Sequence, residues 1–240
     1  MKTEYLYGRI PILESLRAGK RTPRRLFLLA DARDIGPLRE AAAGIPIDEC
    51  TRADLDILAK GGVHQGAVLE ADPLPIHNAD AWASQDFPKD ALVLVLDGVE
   101  DPQNFGAIVR SAAACGASAV VFAKDRAAPV SPAAVKASTG AMEYIDLVRA
   151  TNIVRTLDAL KENGFWAAAL YAEADQTLWQ ADLTGRIALV IGSEGKGIRR
   201  LVNKHCDLHL KIPLTGPITS LNASVSAAIA LVECLRQRQA

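Results

Sequence analysis

Aromatic residues are scarce: 5% of the 240 residues, in a chain that is 50% apolar, so Ala, Val, Ile and Leu have to build its core. Paired cysteines are missing as well. Cys50, Cys115, Cys206 and Cys234 stand far apart with no CxxC among them. That excludes a disulfide framework and suits free thiols in a reducing compartment. Charge of one sign is missing overall: the net value is −1, which gives no global pull toward nucleic acid or membrane. No uncharged apolar run reaches the ~18 residues of a membrane-spanning helix, and no apolar stretch follows the first charges, so a signal peptide is not expected. These absences point to a soluble, cytoplasmic protein of one large domain or two small ones.

The common catalytic signatures are absent too. There is no GxSxG elbow, no HExxH helix, no Cys/His nucleophile pattern, and no paired carboxylates. His205-Cys206 with His209 has an H-x3-H spacing, but no further ligand pair accompanies it, so a structural role is expected and no metal.

Charge is nevertheless uneven along the chain. Residues 1–25 hold seven basic residues (Lys2, Arg9, Arg17, Lys20, Arg21, Arg24, Arg25) against Glu4 and Glu14, an excess of five positive charges. Such a cluster either solubilises an exposed turn or supplies sequence-independent phosphate contacts. His64, in Val63-His64-Gln65-Gly66, reads first as part of a surface turn and second as an RNA contact.

Residues 72–90 carry Pro73, Pro75 and Pro88 among polar residues and lack a sustained apolar period, so they read as a linker or edge segment. They divide the chain into residues 1–71 and 91–240. The first unit alternates helix-like stretches (10–17, 38–43, 53–58) with strand-like ones (26–29, 45–47, 67–69), the pattern of a small α/β sandwich. The second has strand patterns at 91–96, 119–122, 165–170, 187–191 and 208–212. Its helix patterns fall at 106–115, 153–163, 198–204 and 223–236. Unbroken runs such as Ala91-Leu92-Val93-Leu94-Val95-Leu96 suit strands buried on both faces of a parallel sheet.

Three segments carry the chemistry, each where a strand-like run hands over to a polar turn or helix, the place where open α/β sheets bind ligands. The first is Asn104-Phe105-Gly106-Ala107-Ile108-Val109-Arg110. A helix cap explains Asn104 or Asp101. It does not explain Arg110, which is either a snorkelling surface arginine or a site residue. The second, Gly192-Ser193-Glu194-Gly195-Lys196-Gly197, follows a buried strand. Three glycines around a carboxylate exceed what a tight turn needs, and they allow close backbone approach to a ligand. It is neither a Walker loop nor a dinucleotide GxGxxG. The third joins Ile212-Pro213 to Ser220-Leu221-Asn222-Ala223-Ser224 through a loop longer than helix capping requires.

In order and spacing these three segments resemble the motifs of the SpoU (TrmH-like) branch of the SPOUT RNA methyltransferases. Tyr7-Gly8, Val63-His64-Gln65-Gly66, Leu96-Asp97-Gly98-Val99 and Asp101-Pro102 extend the likeness over nearly the whole chain, toward the members that 2′-O-methylate a guanosine of 23S ribosomal RNA. The resemblance implies a C-terminal α/β domain with a deep trefoil knot, a small N-terminal α/β domain that binds RNA substrate, S-adenosylmethionine as methyl donor, and a homodimer. It implies donor contacts from Gly192, Gly197, Ile212, Ser220 and Leu221, and catalytic roles for Asn104, Arg110, Glu194, Ser220 and Asn222. Arg17, Lys20, Arg21, Arg24, Arg25 and His64 would then face RNA. Two departures, Phe105 where a smaller aliphatic is common and Thr219 where serine is common, remove no side chain the chemistry needs. The competing expectations are methylation of tRNA or another ribosomal site, a non-catalytic RNA-binding assembly factor, and a nucleotide-dependent enzyme on an ordinary Rossmann sheet.

Overall fold

The structure, a computed structural model, describes residues 3–32, 34–125, 127–128 and 130–239. Lys2, one of the seven basic residues counted above, lies outside them.

Seven elements form the N-terminal unit: β1 (Glu4–Tyr7), α1 (Arg9–Ala18), β2 (Pro23–Leu29), α2 (Gly36–Ala41), β3 (Ile47–Cys50), α3 (Arg52–Leu58) and β4 (Ala67–Ala71). The sheet order is β1-β4-β2-β3, with β4 antiparallel to both neighbours and β2 parallel to β3. Ile12 and Leu38 join Leu26, Leu28 and Leu69 in one cluster, while Leu55 packs with Val68 in another, so α1 and α2 share one face and α3 takes the other. Helix α3 starts sharply because Thr51 and Asp54 form a reciprocal capping box. The strand expected at 45–47 begins two residues later. Ile45 donates its N–H to the carbonyl of Ala42 and belongs to the helix-end turn, and ladder pairing starts at Ile47 opposite Leu26.

The second sheet holds eight parallel strands in the order β10-β12-β9-β11-β6-β7-β8-β5. Along the chain these are β5 (His77–Asn78), α4 (Ala79–Trp82), β6 (Leu92–Asp97), α5 (Pro102–Ala114), β7 (Ala119–Ala123), α6 (Pro132–Ala137), β8 (Asp146–Ala150), α7 (Ile153–Glu162), β9 (Trp166–Leu170), β10 (Gln176–Thr177), β11 (Ile187–Gly192), α8 (Arg200–Lys204), β12 (Leu208–Lys211) and α9 (Ala223–Gln239). All six residues of β6 are buried, as a central strand covered on both faces requires. Alternate residues serve opposite layers. Leu92, Leu94 and Leu96 pack with α5 and α9, whereas Val93 and Val95 pack with α7, α8, Trp82 and Phe87. The segment at 72–90 thus contributes β5 at the sheet edge and two buried aromatics to the second layer.

Gly106 lets α5 and α6 touch, since a Cβ there would lie 2.5 Å from the Cβ of Ala137 and 2.7 Å from the carbonyl oxygen of Ala134. Phe105 is fully buried, its ring in an edge-on contact with Phe122 at 5.3 Å between centroids. Such pairs add about 0.5–1.5 kcal/mol beyond burial. Chain direction reverses across the sheet at β6: the path first runs through β7 and β8, then returns to β9 and β11 on the other side. That switch point puts the carboxyl ends of β6 and β11 side by side, with Gly192 opposite Asp97.

Candidate active site

The loops leaving β6 and β11 are built to meet. Asp97, the last residue of β6, is buried, and its carboxylate accepts two hydrogen bonds from Arg199, from the backbone N–H at 2.7 Å and from Nε at 2.7 Å, with Nη2 at 2.6 Å completing an ion pair. This clamp ties the exit of the glycine loop to the neighbouring strand. Gly192 allows the loop to fold over itself, because a Cβ there would sit 2.2 Å from the carbonyl carbon of Gly197. Ser193 and Gly197 then exchange backbone N–H···O bonds of 3.1 and 2.9 Å, with Gly195 and Gly197 at φ +78° and +64°. Glu194 stands on the tip so formed.

Three side chains converge there. Asn104 Nδ2 and Asn222 Nδ2 each donate to Glu194 Oε1 at 2.6 Å, and Asn222 Nδ2 also lies 3.1 Å from Asn104 Oδ1. Helix caps set the orientations. Asp101 caps α5 by accepting from the N–H groups of Gln103 and Asn104. Asn222 Oδ1 caps α9, accepting from the Ser224 N–H at 2.8 Å and the Ser224 hydroxyl at 2.6 Å. With its oxygen committed to the cap, the Asn222 amide must turn its nitrogen toward Glu194. Glu194 Oε2 has no partner among the described residues and remains open.

A 260 Å³ cavity adjoins the cluster, lined in part by Glu100, Asp101, Asn104, Glu194 and Lys196. Three carboxylates against one lysine make its wall net negative. Residues 213–221 make no hydrogen bond among the described residues, so their backbone N–H and C=O groups are available to a ligand. Ile212 is half-buried; Ser220 and Leu221 are exposed.

Arg110 stands apart. It is exposed and has no hydrogen bond or ion pair among the described residues. Six residues separate it from Asn104, which turns it about 120° around the helix at 3.6 residues per turn. Asn104 turns to Asn222 at the start of α9, and Arg110 lies on the exposed side of α5.

The basic N-terminal cluster is corrected more sharply. Arg21 is buried and paired with Glu143 and Glu4, so it is no surface contact for RNA. Lys20 donates to the carbonyl of Ile145 at 2.7 Å and lies 3.6 Å from Asp146, joining the two units. Arg17, Arg24 and Arg25 hold Glu14, Asp72 and Asp48. The charge count over residues 1–25 included Glu4 and Glu14 but not Asp48, Asp72, Glu143 and Asp146, which are distant in sequence. His64 is buried, not in a surface turn; its Nδ1 accepts from the Gly66 N–H at 3.0 Å and its Nε2 lies 3.2 Å from Asp56. His205 and His209 turn to Asp158 and to the carbonyl of Asn203, in separate contacts. The Asp97–Arg199 clamp was missed. Its one signal was a carboxylate closing an otherwise apolar run.

With this geometry in view, the chain is similar to known proteins along its length. The model of the SpoU rRNA Methylase family matches residues 91–232. The model described as RNA 2′-O ribose methyltransferase substrate binding matches residues 5–77. A 23S rRNA (guanosine-2′-O-)-methyltransferase, RlmB, of Pseudomonas aeruginosa is 41% identical over 98% of this chain and 97% of its own. The RlmB of Escherichia coli K12 is 40% identical over 98% and 99%. Among solved structures, the SpoU methyltransferase AviRb from Streptomyces viridochromogenes, in complex with the cofactor AdoMet, superposes with a TM-score of 0.83 at 25% identity, covering 98% of this chain and 90% of that one.

Proposed function

The chain belongs to the SpoU rRNA methylase family, and from that premise we propose that it transfers a methyl group from S-adenosylmethionine to the 2′-oxygen of a guanosine in 23S ribosomal RNA. It is an RNA 2′-O-methyltransferase, and S-adenosylmethionine is its methyl donor. The observation that carries the chemistry is the joint hold of Asn104 and Asn222 on one oxygen of Glu194, which leaves the other oxygen open.

The residues present fit the donor. The net negative wall of the cavity suits a sulfonium cation. The unpaired backbone of 213–221, with Gly192, Gly197, Ile212 and Leu221 around it, suits recognition by main-chain groups, and Ser220 adds a hydroxyl. The bound donor supplies an electrophilic methyl carbon, already activated by its positive sulfur.

What remains for the protein is alignment and a proton. Glu194 Oε2 accepts the hydrogen bond of the ribose 2′-hydroxyl and holds its proton as the oxygen attacks. Asn104 and Asn222 fix the carboxylate so that it does not swing away. Arg110 binds the target phosphate and stabilises the developing alkoxide. A guanidinium is a cation with no free lone pair for a proton, which argues against Arg110 as the base.

We include a homodimer in the proposal. Leu214, Ile218, Leu221, Val225 and Val232 are exposed apolar residues on the third loop and on α9, beside the site. A second copy over this surface would bury them and approach the ridge that carries Arg110. The trefoil knot belongs to the same inference, supported by the parallel strand order and by α9 returning to pack on α5. Residues 1–71 serve RNA binding, 72–90 connect, and 91–240 carry catalysis. No helix among the described residues is long and apolar enough to cross a membrane; we place the protein in the cytoplasm, with its ribosomal substrate.

Transfer of tritiated methyl from the donor to unmodified 23S ribosomal RNA tests the reading. Label in ribosomal RNA supports it. Label only in tRNA moves the substrate, and RNA binding without transfer leaves an assembly factor.

A further inference from the structure

The N-terminal unit has a cavity of its own, of 560 Å³, lined chiefly by Arg9, Arg52, Asp56, His64, Gln65 and the glycines beside them. We infer that this cavity takes a single-stranded, unstacked segment of the RNA substrate, with Arg52 and Arg9 on its phosphates; the inference rests on the function proposed above.

The cavity is held open from within. His64 Nδ1 accepts from the Gly66 N–H, so a neutral ring carries its hydrogen on Nε2, which lies 3.2 Å from Asp56 Oδ1. His64 therefore braces the wall and does not touch ligand. Four residues of this short loop are left-handed: Lys60 at φ +51°, Gly61 at +77°, Gln65 at +54° and Gly66 at +83°. A glutamine there is strained, and strain of this kind persists where the surroundings enforce it. Arg9 enforces it, donating from Nε to the Gln65 carbonyl at 2.9 Å and from its backbone N–H to Gln65 Oε1 at 3.1 Å. That leaves the Gln65 amide nitrogen as a donor with no partner among the described residues.

Arg52, the first residue of α3, is exposed and makes no bond among the described residues. Gly61 leaves open space where a side chain would stand, so a backbone can approach closely there, whereas Gly62 makes room for the Tyr7 ring. Val63 is 66% exposed between them and His64. Its carbonyl accepts from Lys136 Nζ of α6 at 2.9 Å, so this wall is tied to the methyltransferase sheet. The volume lies within the ~300–1,000 Å³ of small-ligand sites. A concave pocket lined by two arginines suits splayed bases and their phosphates, whereas duplex RNA is met by shape over ~16 base pairs.

The test is binding of a single-stranded oligoribonucleotide of about 12 nucleotides to the full chain, wild type against Arg52→Glu. Because Arg52 is exposed and unpaired, the variant should fold. The expected result is affinity at least ~10-fold weaker and a log–log salt slope shallower by about 0.7 for each phosphate that is no longer neutralised, with donor affinity unchanged. Unchanged affinity and slope in Arg52→Glu, or wild-type preference for a duplex of equal length, would overturn the inference. If wild type transfers no methyl to ribosomal RNA yet Arg52→Glu still loses single-strand binding, the groove stands and the enzymatic reading falls.

Discussion

Arg21 and Glu143 face each other across the two units, Nη2 to Oε1 at 2.9 Å, with side chains 1% and 0% exposed. Their atoms are close without hydrogen-bond alignment: Arg21 Nη2 and both Glu143 oxygens lack a properly directed partner. The pair is thus an ion pair held by burial. Around it, Lys20 reaches Ile145 and the Tyr144 hydroxyl donates to Glu14 at 2.6 Å. Residues that looked in sequence like a phosphate-binding cluster therefore join the N-terminal unit to the methyltransferase sheet.

Glu143→Leu alone should destabilise the protein by about 3–5 kcal/mol, because it removes the buried partner of a buried guanidinium and leaves it only the partly exposed Glu4. The double variant Arg21→Met/Glu143→Leu should recover most of that loss. Urea unfolding reads both. A single variant within about 1 kcal/mol of wild type, the value of a surface pair, would show that the pair is hydrated.

Glu194→Ala and Asn222→Ala should each lower the methyl-transfer rate about 100-fold or more through misplacement of the ribose, with donor affinity reduced far less by Glu194→Ala. Asn222→Ala also loses a helix cap, about 1 kcal/mol. Single-turnover kinetics beside donor titration separates the effects. Equal loss of donor affinity and rate in Glu194→Ala would put Glu194 among the groups that bind the donor.

Arg110→Ala should abolish transfer with donor affinity nearly intact, and Arg110→Lys should restore little, since a point charge lacks the planar fork. Full activity in Arg110→Lys would contradict a bidentate phosphate contact.

The Tyr144 phenol is pushed up to about 12, first by its hydrogen bond to the Glu14 carboxylate and then by burial. Its folded pKa lies above the unfolded value near 10, so the folded state holds the proton more tightly. The bond's stabilisation is fully present below about pH 10 and fades as pH rises toward 12. The stability advantage of wild type over Tyr144→Phe should therefore shrink across that window. An advantage that stays constant to pH 12 would contradict the Tyr144–Glu14 bond. Because Tyr144 is half-exposed, a small effect is expected.

How much of this was legible in the sequence depended on burial. Strands β6, β7, β9 and β11 show as apolar runs because both their faces are covered, whereas β12 shows by the alternation of Leu208 and Leu210 with His209 and Lys211. Strand β8 does not, because Asp146 and Arg149 interrupt it: Asp146 accepts from Trp82 Nε1, and Arg149 is exposed. Strands β5 and β10 have two residues each and exist through their neighbours' ladders, which leave no periodic trace. The convergence of Asn104, Glu194 and Asn222 was foreseeable from motif order. The fate of the basic cluster was not, because Asp48, Asp72, Glu143 and Asp146 come to it only through folding.

The most direct test of the central claim is nucleoside mapping of 23S ribosomal RNA from a strain lacking the gene, incubated with the purified protein and S-adenosylmethionine. The account predicts 2′-O-methylguanosine at one site, present with wild type and absent with Glu194→Ala. Methylation on a base nitrogen or carbon, or a 2′-O-methyl mark on a nucleoside other than guanosine, would contradict it.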